Sequence, residues 1–143
     1  MKNLFIIFIL SFSLILSLNS VSAQMLLKGG VVRDNGKIIT PFYYNGVQIG
    51  YGIQYDDDLY HNFYYDLYGT LTQYDVLDKP RTEFPHNTVS YDATGEIISK
   101  SISFSKTQQV VYTPDGKLKA RWDGDNCYDA NGNKLTSSRA LPH

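Results

Sequence analysis

Cysteine, histidine and glutamate are scarce in this sequence. Its 143 residues include one cysteine, Cys127, three histidines and two glutamates. A lone cysteine cannot form an internal disulfide. We therefore expect Cys127 to be a buried small hydrophobic residue or, alternatively, a residue that forms a bond to another molecule. The histidines share no zinc-ligand spacing, and no Gly-x-Ser-x-Gly nucleophile motif is present. These absences predict a protein without a metal, a cofactor or a catalytic group.

The sequence also has no excess of basic residues, and it has no long apolar run after the N-terminal region. The formal net charge is −1, which gives no indication of nucleic-acid binding. One apolar run, Leu4 to Leu18, follows Lys2 and precedes Val21-Ser22-Ala23, the small-residue pattern that a signal peptidase reads. We therefore predict a signal peptide over residues 1–23 and export to the periplasm, the cell surface or the medium, with no membrane span after cleavage.

Aspartate and glycine cluster near the C-terminus, but not in the spacing of an EF-hand. If Gly132 took the sixth loop position, Cys127 would occupy the first ligand place and Ser138 the twelfth, where a bidentate glutamate is required. Turn formation accounts for most of these aspartates. We expect no calcium site.

Alternation of apolar and polar residues dominates the rest of the chain. Val47, Ile49, Tyr51, Ile53 and Tyr55 occupy every second position, and the alternation resumes after the aspartates at 56–58. This period is typical of strands with one buried face and predicts a hairpin that turns at the aspartates. Residues 79–87, with two prolines, are the one predicted long loop.

A turn motif, Tyr-Asp-x-x-Gly-x-(Leu/Ile), recurs along the chain. It begins at Tyr65 and Tyr91, is shifted by one position after Tyr128, and has relaxed copies at 112–118 and 32–38. Aspartate or threonine can accept backbone hydrogen bonds at the start of such a turn, and glycine adopts the left-handed conformation that closes it with a bulge. The flanking tyrosine and leucine or isoleucine should pair across the strands. The predicted turn glycines are Gly36, Gly69, Gly95, Gly116 and Gly132.

These units resemble the tyrosine-and-glycine hairpin repeats of the YD (Rhs-like) and variant MORN families, most clearly over residues 91–135. The resemblance implies short hairpins strung into a curved sheet, and a binding surface rather than chemistry. Copies begin at uneven intervals, which departs from a regular solenoid.

The predicted fold is all-β: an antiparallel meander of consecutive hairpins over residues 24–135, as a single curved sheet, an open barrel or a small sandwich. Residues 136–143 are predicted to form a flexible tail.

Outward-facing tyrosines are the candidate binding site. With odd positions of the hairpin 46–68 facing the core, Tyr60, Tyr64 and Tyr68 fall on the opposite face and form an amphipathic platform, with Trp122 as a further contact. Alternatively, a second sheet layer covers them. The predicted function is a non-enzymatic module that binds an envelope protein or a glycan. The alternatives are a carbohydrate-binding accessory protein and a small hydrolase that uses Glu83 or His86.

Overall fold

A computed structural model describes residues 23–139, so residues 1–22 of the predicted signal peptide lie outside the described part of the chain. The described residues form strands, turns and loops and contain no helix, which confirms the all-β prediction. The eleven strands are β1 (Val32–Asp34), β2 (Lys37–Tyr44), β3 (Val47–Tyr55), β4 (His61–Asp66), β5 (Leu71–Leu77), β6 (His86–Asp92), β7 (Ile97–Ser103), β8 (Gln108–Tyr112), β9 (Leu118–Asp123), β10 (Asn126–Asp129) and β11 (Lys134–Arg139).

The sheet closes on itself. Strands β2 to β11 pair antiparallel in chain order, and β11 returns to pair with β2 through Ser137–Tyr44, Ser138–Tyr43 and Arg139–Phe42. The result is a ten-stranded barrel, and the short strand β1 pairs antiparallel with the first residues of β2. The meander is as predicted, but the sheet is neither open nor a sandwich. Closure is favourable because it leaves β2 and β11 no unpaired strand edge.

The predicted tail from residue 136 is wrong for residues 136–139, because they belong to the closing strand β11. This strand is poor in apolar residues, so alternation alone does not reveal it. It is held by pairing on both sides, with β10 and with β2. Residues 140–143 lie outside the described range.

All four tyrosine-containing copies of the turn motif lie at the same end of the barrel, which we call the turn end. They connect β4 to β5, β6 to β7, β8 to β9 and β10 to β11. The opposite end, the loop end, carries the connections at 56–60, 78–85, 104–107 and 124–125. From β3 onwards the connections alternate between a loop and a motif turn, and the varied loop-end connections explain the uneven intervals between the copies.

The motif turns follow the predicted chemistry. Asp92 accepts main-chain hydrogen bonds from Thr94 at 2.9 Å and Glu96 at 3.0 Å through one carboxylate oxygen. Asp66 and Asp129 each accept the corresponding pair of bonds. The bond from the Thr94 side chain, with those from the main chain, keeps the pKa of Asp92 below its ordinary value. Each turn glycine has a positive φ: 85° at Gly69, 91° at Gly95, 90° at Gly116 and 84° at Gly132.

The tyrosines of the motif pair across the hairpins as predicted in three copies. Tyr65 faces Leu71, Tyr91 faces Ile97 and Tyr112 faces Leu118, each beside a bulge. In the C-terminal copy, the partner of Tyr128 is Lys134. The predicted pair is therefore confirmed in the three copies whose apolar residue keeps the motif spacing, and it is absent from the C-terminal copy, whose leucine comes one position later.

The relaxed copy at 32–38 forms a different turn. Asn35 and Gly36, with φ of 46° and 80°, make a two-residue turn between β1 and β2 at the loop end. Asn45 and Gly46, with φ of 50° and 75°, make the same kind of turn between β2 and β3. Asn-Gly favours such turns because both positions require positive φ.

The two faces of the sheet carry different residues. Ile39, Tyr51 and Ile53 form a buried apolar cluster, against which Leu27 of the N-terminal segment packs. Their strand neighbours Thr40 and Gly52 line the barrel interior, so the side chains of the cluster point towards the outer face, with Ile53 also bordering the interior space. Small polar side chains fill much of the interior, including Thr88, Ser90, Ser99, Ser101 and Ser103. The apolar odd positions of β3 therefore point outwards, away from the interior.

Candidate functional site: the cavity inside the barrel

A cavity of about 440 Å³ occupies the barrel interior and reaches the loop end. We call it the interior cavity. Strands from around the barrel contribute to its wall, and the loops 78–85 and 104–107 contribute to its rim. The lining residues are Arg33, Ile38, Thr40, Phe42, Gly52, Ile53, Gln54, Asn62, Phe63, Tyr64, Arg81, Thr82, Phe84, His86, Ser103, Ser105, Lys106, Gln109 and Arg139.

A hydrogen-bond network centred on Asp75 supports one wall of this cavity. Asp75 is 4% exposed, and its carboxylate accepts bonds from Tyr64 at 2.7 Å and Ser90 at 2.7 Å. Asn62 and Gln73 each donate to it at 3.2 Å. Four donors around one buried carboxylate compensate for the loss of its hydration.

Tyr64 joins this network to the cavity. Burial, followed by the negative charge of Asp75, raises the pKa of the Tyr64 hydroxyl well above its ordinary value, so the group remains a neutral donor. The Phe42 ring contacts the Tyr64 ring edge-on, with centroids 5.6 Å apart. Gly52 leaves room for both rings, because a Cβ there would lie 3.0 Å from Phe42 and 3.4 Å from Tyr64.

Four cationic side chains line the cavity, and no aspartate or glutamate is among its described lining residues. Arg33 forms an exposed ion pair with Asp56 at 3.0 Å. Arg81 donates to the main-chain carbonyl oxygens of Tyr55 and Asp58, which ties the loop 78–85 to the end of β3. Lys106 lies in the rim loop 104–107. These three cations lie at the loop end.

Arg139, the fourth cation, extends from the closing strand. Its guanidinium carbon lies 4.6 Å from the centre of the Trp122 ring, a cation–π arrangement. Its Nε is buried and has no hydrogen-bond partner among the described residues. Burial lowers the pKa of Arg139, although Tyr64 and Cys127 act in the opposite direction. Arginine nevertheless stays charged in proteins, because its ordinary pKa lies far above neutral pH.

The structure separates the four predicted contact residues. Tyr60 and Tyr68 are 47% and 50% exposed, but Tyr60 is in a loop-end connection and Tyr68 in a turn-end one. Tyr64 lies on the face opposite the odd positions, as predicted, but that face lines the cavity. Trp122 contacts Arg139. The tyrosines therefore do not form one outward platform, and two of the four residues lie at or beside the cavity instead.

Glu83 and His86 do not form an acid–base pair. Glu83 is exposed, and Nδ1 of the buried His86 lies 2.8 Å from the main-chain carbonyl oxygen of Glu83 rather than from its carboxylate. Cys127 is 4% exposed, and burial raises the pKa of its thiol. Its burial matches the first of the two expectations for this residue.

Sequence reasoning missed Arg139 and Asp75 as site residues. Arg139 falls in the segment predicted to be a tail, and Asp75 stands in an ordinary alternating stretch with no motif around it. The described residues contain no group of three or more histidine, cysteine, aspartate or glutamate side chains placed to hold a metal ion. They also contain no helix long and apolar enough to cross a membrane.

Comparison with known proteins adds no relative. No protein-family model matches the chain, and neither does any curated protein or solved structure. The resemblance to YD and variant MORN repeats therefore stays a prediction.

Proposed function

We propose that this protein is an exported, non-enzymatic binding protein that holds a small molecule in the interior cavity. The observation that carries the proposal is the cavity itself: about 440 Å³ inside a closed barrel, reaching one end. Ligand sites are commonly preformed cavities of about 300–1,000 Å³, and barrel mouths are among their usual places.

The composition of the wall supports a polar ligand with an apolar part. Amide, hydroxyl and cationic groups share the wall of this space with Phe42 and Phe84. The Asp75 network holds Tyr64 and Asn62 in place before any ligand arrives. Preorganised donors reduce the entropy lost on binding.

Binding of an envelope protein or glycan through exposed tyrosines is the second candidate. The exposure of Tyr60 and Tyr68 favours it, since aromatic side chains are enriched in interfaces. Their positions at opposite ends of the barrel would require two separate contacts or a partner that spans its height.

Native mass spectrometry separates the two candidates. The purified protein is incubated with an extract of the culture and envelope that retains small molecules, glycans and solubilised envelope proteins. Bound masses are read for wild type, Ser103→Phe and Tyr60→Ser/Tyr68→Ser. Ser103 is buried and lines the cavity, so phenylalanine there occupies ligand space. We expect the bound mass to disappear in Ser103→Phe and to persist in the double tyrosine variant.

Thr40→Phe fills the same cavity from β2 and serves as a second blocking variant, and circular dichroism checks the fold of each protein. A bound mass that survives both blocking variants and is lost with the two tyrosines would contradict the cavity proposal and support the tyrosine surface.

A further inference from the structure

Arg139 has hydrogen-bonding capacity that the described residues do not use. A guanidinium carries five N–H donors in its plane, whereas stacking on Trp122 engages only its face. Its buried Nε has no partner, and no side-chain hydrogen bond joins it to residues 23–139. Burying a charged donor without partners is costly, and a ligand in the cavity that Arg139 lines would supply acceptors for its guanidinium N–H groups.

Several acidic side chains near the loop end form ion pairs of their own. Asp56 pairs with Arg33 at 3.0 Å and Asp58 with His61 at 2.9 Å, while Asp123 lies 3.8 Å from Arg121. Inside the barrel, the carboxylate of Asp75 already accepts four hydrogen bonds.

The concentration of cations is not a consequence of a basic protein. The chain has a formal net charge of −1. This cavity is nevertheless lined by four arginine or lysine side chains, and no aspartate or glutamate of residues 23–139 lines it. A cavity lined by one sign of charge raises the local concentration of the opposite ion. The charge arrangement therefore selects an anion.

Aromatic residues that line the same cavity indicate the rest of the ligand. Phe42 pairs with Arg139 across β2 and β11 and lines the cavity, and Phe84 lines it from the loop 78–85. Ring faces and edges of this kind pack against a flat apolar body.

Resting on the proposed function, we propose that the ligand is a small aromatic or similarly apolar organic acid whose carboxylate is bound by the guanidinium of Arg139. Arginine matches a carboxylate with two parallel N–H···O bonds, and Trp122 holds the guanidinium plane in position. The apolar body lies against the phenylalanine rings.

The test compares two probes of nearly equal shape, naphthalene-2-carboxylate and its neutral counterpart naphthalene-2-carboxamide, by isothermal titration calorimetry on the purified protein. We expect wild type to bind the carboxylate at least about tenfold more tightly, the ratio that a charge-assisted bond provides. Arg139→Gln should reduce the ratio to near one without abolishing carboxamide binding, and Arg139→Lys should restore part of it.

Arg33→Gln is the matched control, because Arg33 is a cavity-rim cation that already pairs with Asp56. It should keep the wild-type ratio. Equal binding of the two probes by wild type overturns the carboxylate inference but leaves the cavity proposal standing, and this comparison does not depend on any variant folding. An unchanged ratio in folded Arg139→Gln also overturns it. If neither probe binds wild type, the aromatic-acid inference fails, whereas the cavity proposal fails only if native mass spectrometry shows a bound mass that survives both blocking variants.

Discussion

At the scale of single residues, the interior of this barrel depends on polar side chains that satisfy one another. Asp75 is the centre of that arrangement, because Tyr64, Asn62, Gln73 and Ser90 all donate to it. The alternation around Asp75 indicates a strand, but no local pattern indicates these four donors. They come from three strands, β4, β5 and β6, which only the sheet brings side by side.

Replacing Asp75 should be far more damaging than replacing an exposed aspartate. We expect Asp75→Ala to lower the free energy of unfolding by about 3 kcal/mol, because buried donors lose their acceptor. Tyr64→Phe removes one donor and should cost about 2 kcal/mol. Urea unfolding of the purified protein measures both. Asp57→Ala, at an exposed position, is the control and should stay within about 0.5 kcal/mol of wild type. Equal effects of Asp75→Ala and Asp57→Ala would contradict the role of the network.

At the scale of elements, four turns of one design define one end of the barrel. In the copy at 112–118, threonine replaces the aspartate at the start of the turn. The Lys117 N–H donates to Thr113 Oγ1 at 3.0 Å, and the Gly116 N–H donates to the Thr113 carbonyl oxygen at 2.9 Å. This geometry is local, which is why the sequence motif predicts it. The turn between Asn35 and Gly36 differs because only two residues separate its strands.

The turn glycines should be required for their backbone conformation rather than for space. A Cβ at Gly116 would meet no atom within 4 Å, but φ there is +90°. We therefore expect Gly116→Ala to lower the free energy of unfolding by about 1–2 kcal/mol, from the left-handed backbone alone. Gly29→Ala provides the comparison, since Gly29 also has open space around it and no positive φ. Thermal and urea unfolding should show little change for Gly29→Ala; similar losses in both variants would refute the explanation.

At the scale of the whole molecule, closure of the sheet gives the protein its interior. β11 pairs with β10 on one side and β2 on the other, and it also carries Arg139 into the cavity wall. Without that strand the sheet would have two free edges, and the cavity would lack the cation that we assign to ligand binding.

Removing β11 should convert a closed barrel into an open sheet that associates with itself. Deletion of residues 134–143 exposes the edges of β2 and β10, and such edges pair readily with other chains. We expect oligomers or aggregates in analytical ultracentrifugation, together with loss of probe binding. Deletion of residues 140–143 alone keeps β11 and should behave like wild type. A monomeric protein with its cavity intact after the longer deletion would show that β11 does not close the barrel.

The elements with local causes can be read from the amino-acid sequence alone. Alternation predicted the strands 47–55 and 61–66, and the spacing of aspartate and glycine predicted the motif turns together with the cross-strand partners of Tyr65, Tyr91 and Tyr112. Each depends on residues within about one hairpin, so the interactions are readable from the chain order.

Which face of the sheet lies inside, and which side chains meet there, depends on contacts between strands that are distant in the chain. Alternation with a period of two separates two faces but does not say which one a closed sheet encloses. Closure places Tyr64 in the interior and Arg139 opposite Phe42, while pairing of β9, β10 and β11 brings Arg139 to Trp122. It depends on pairing between the first and last strands of the barrel, a contact over nearly 100 residues for Phe42 and Arg139. No local pattern contains that information, and the candidate binding site depends on it.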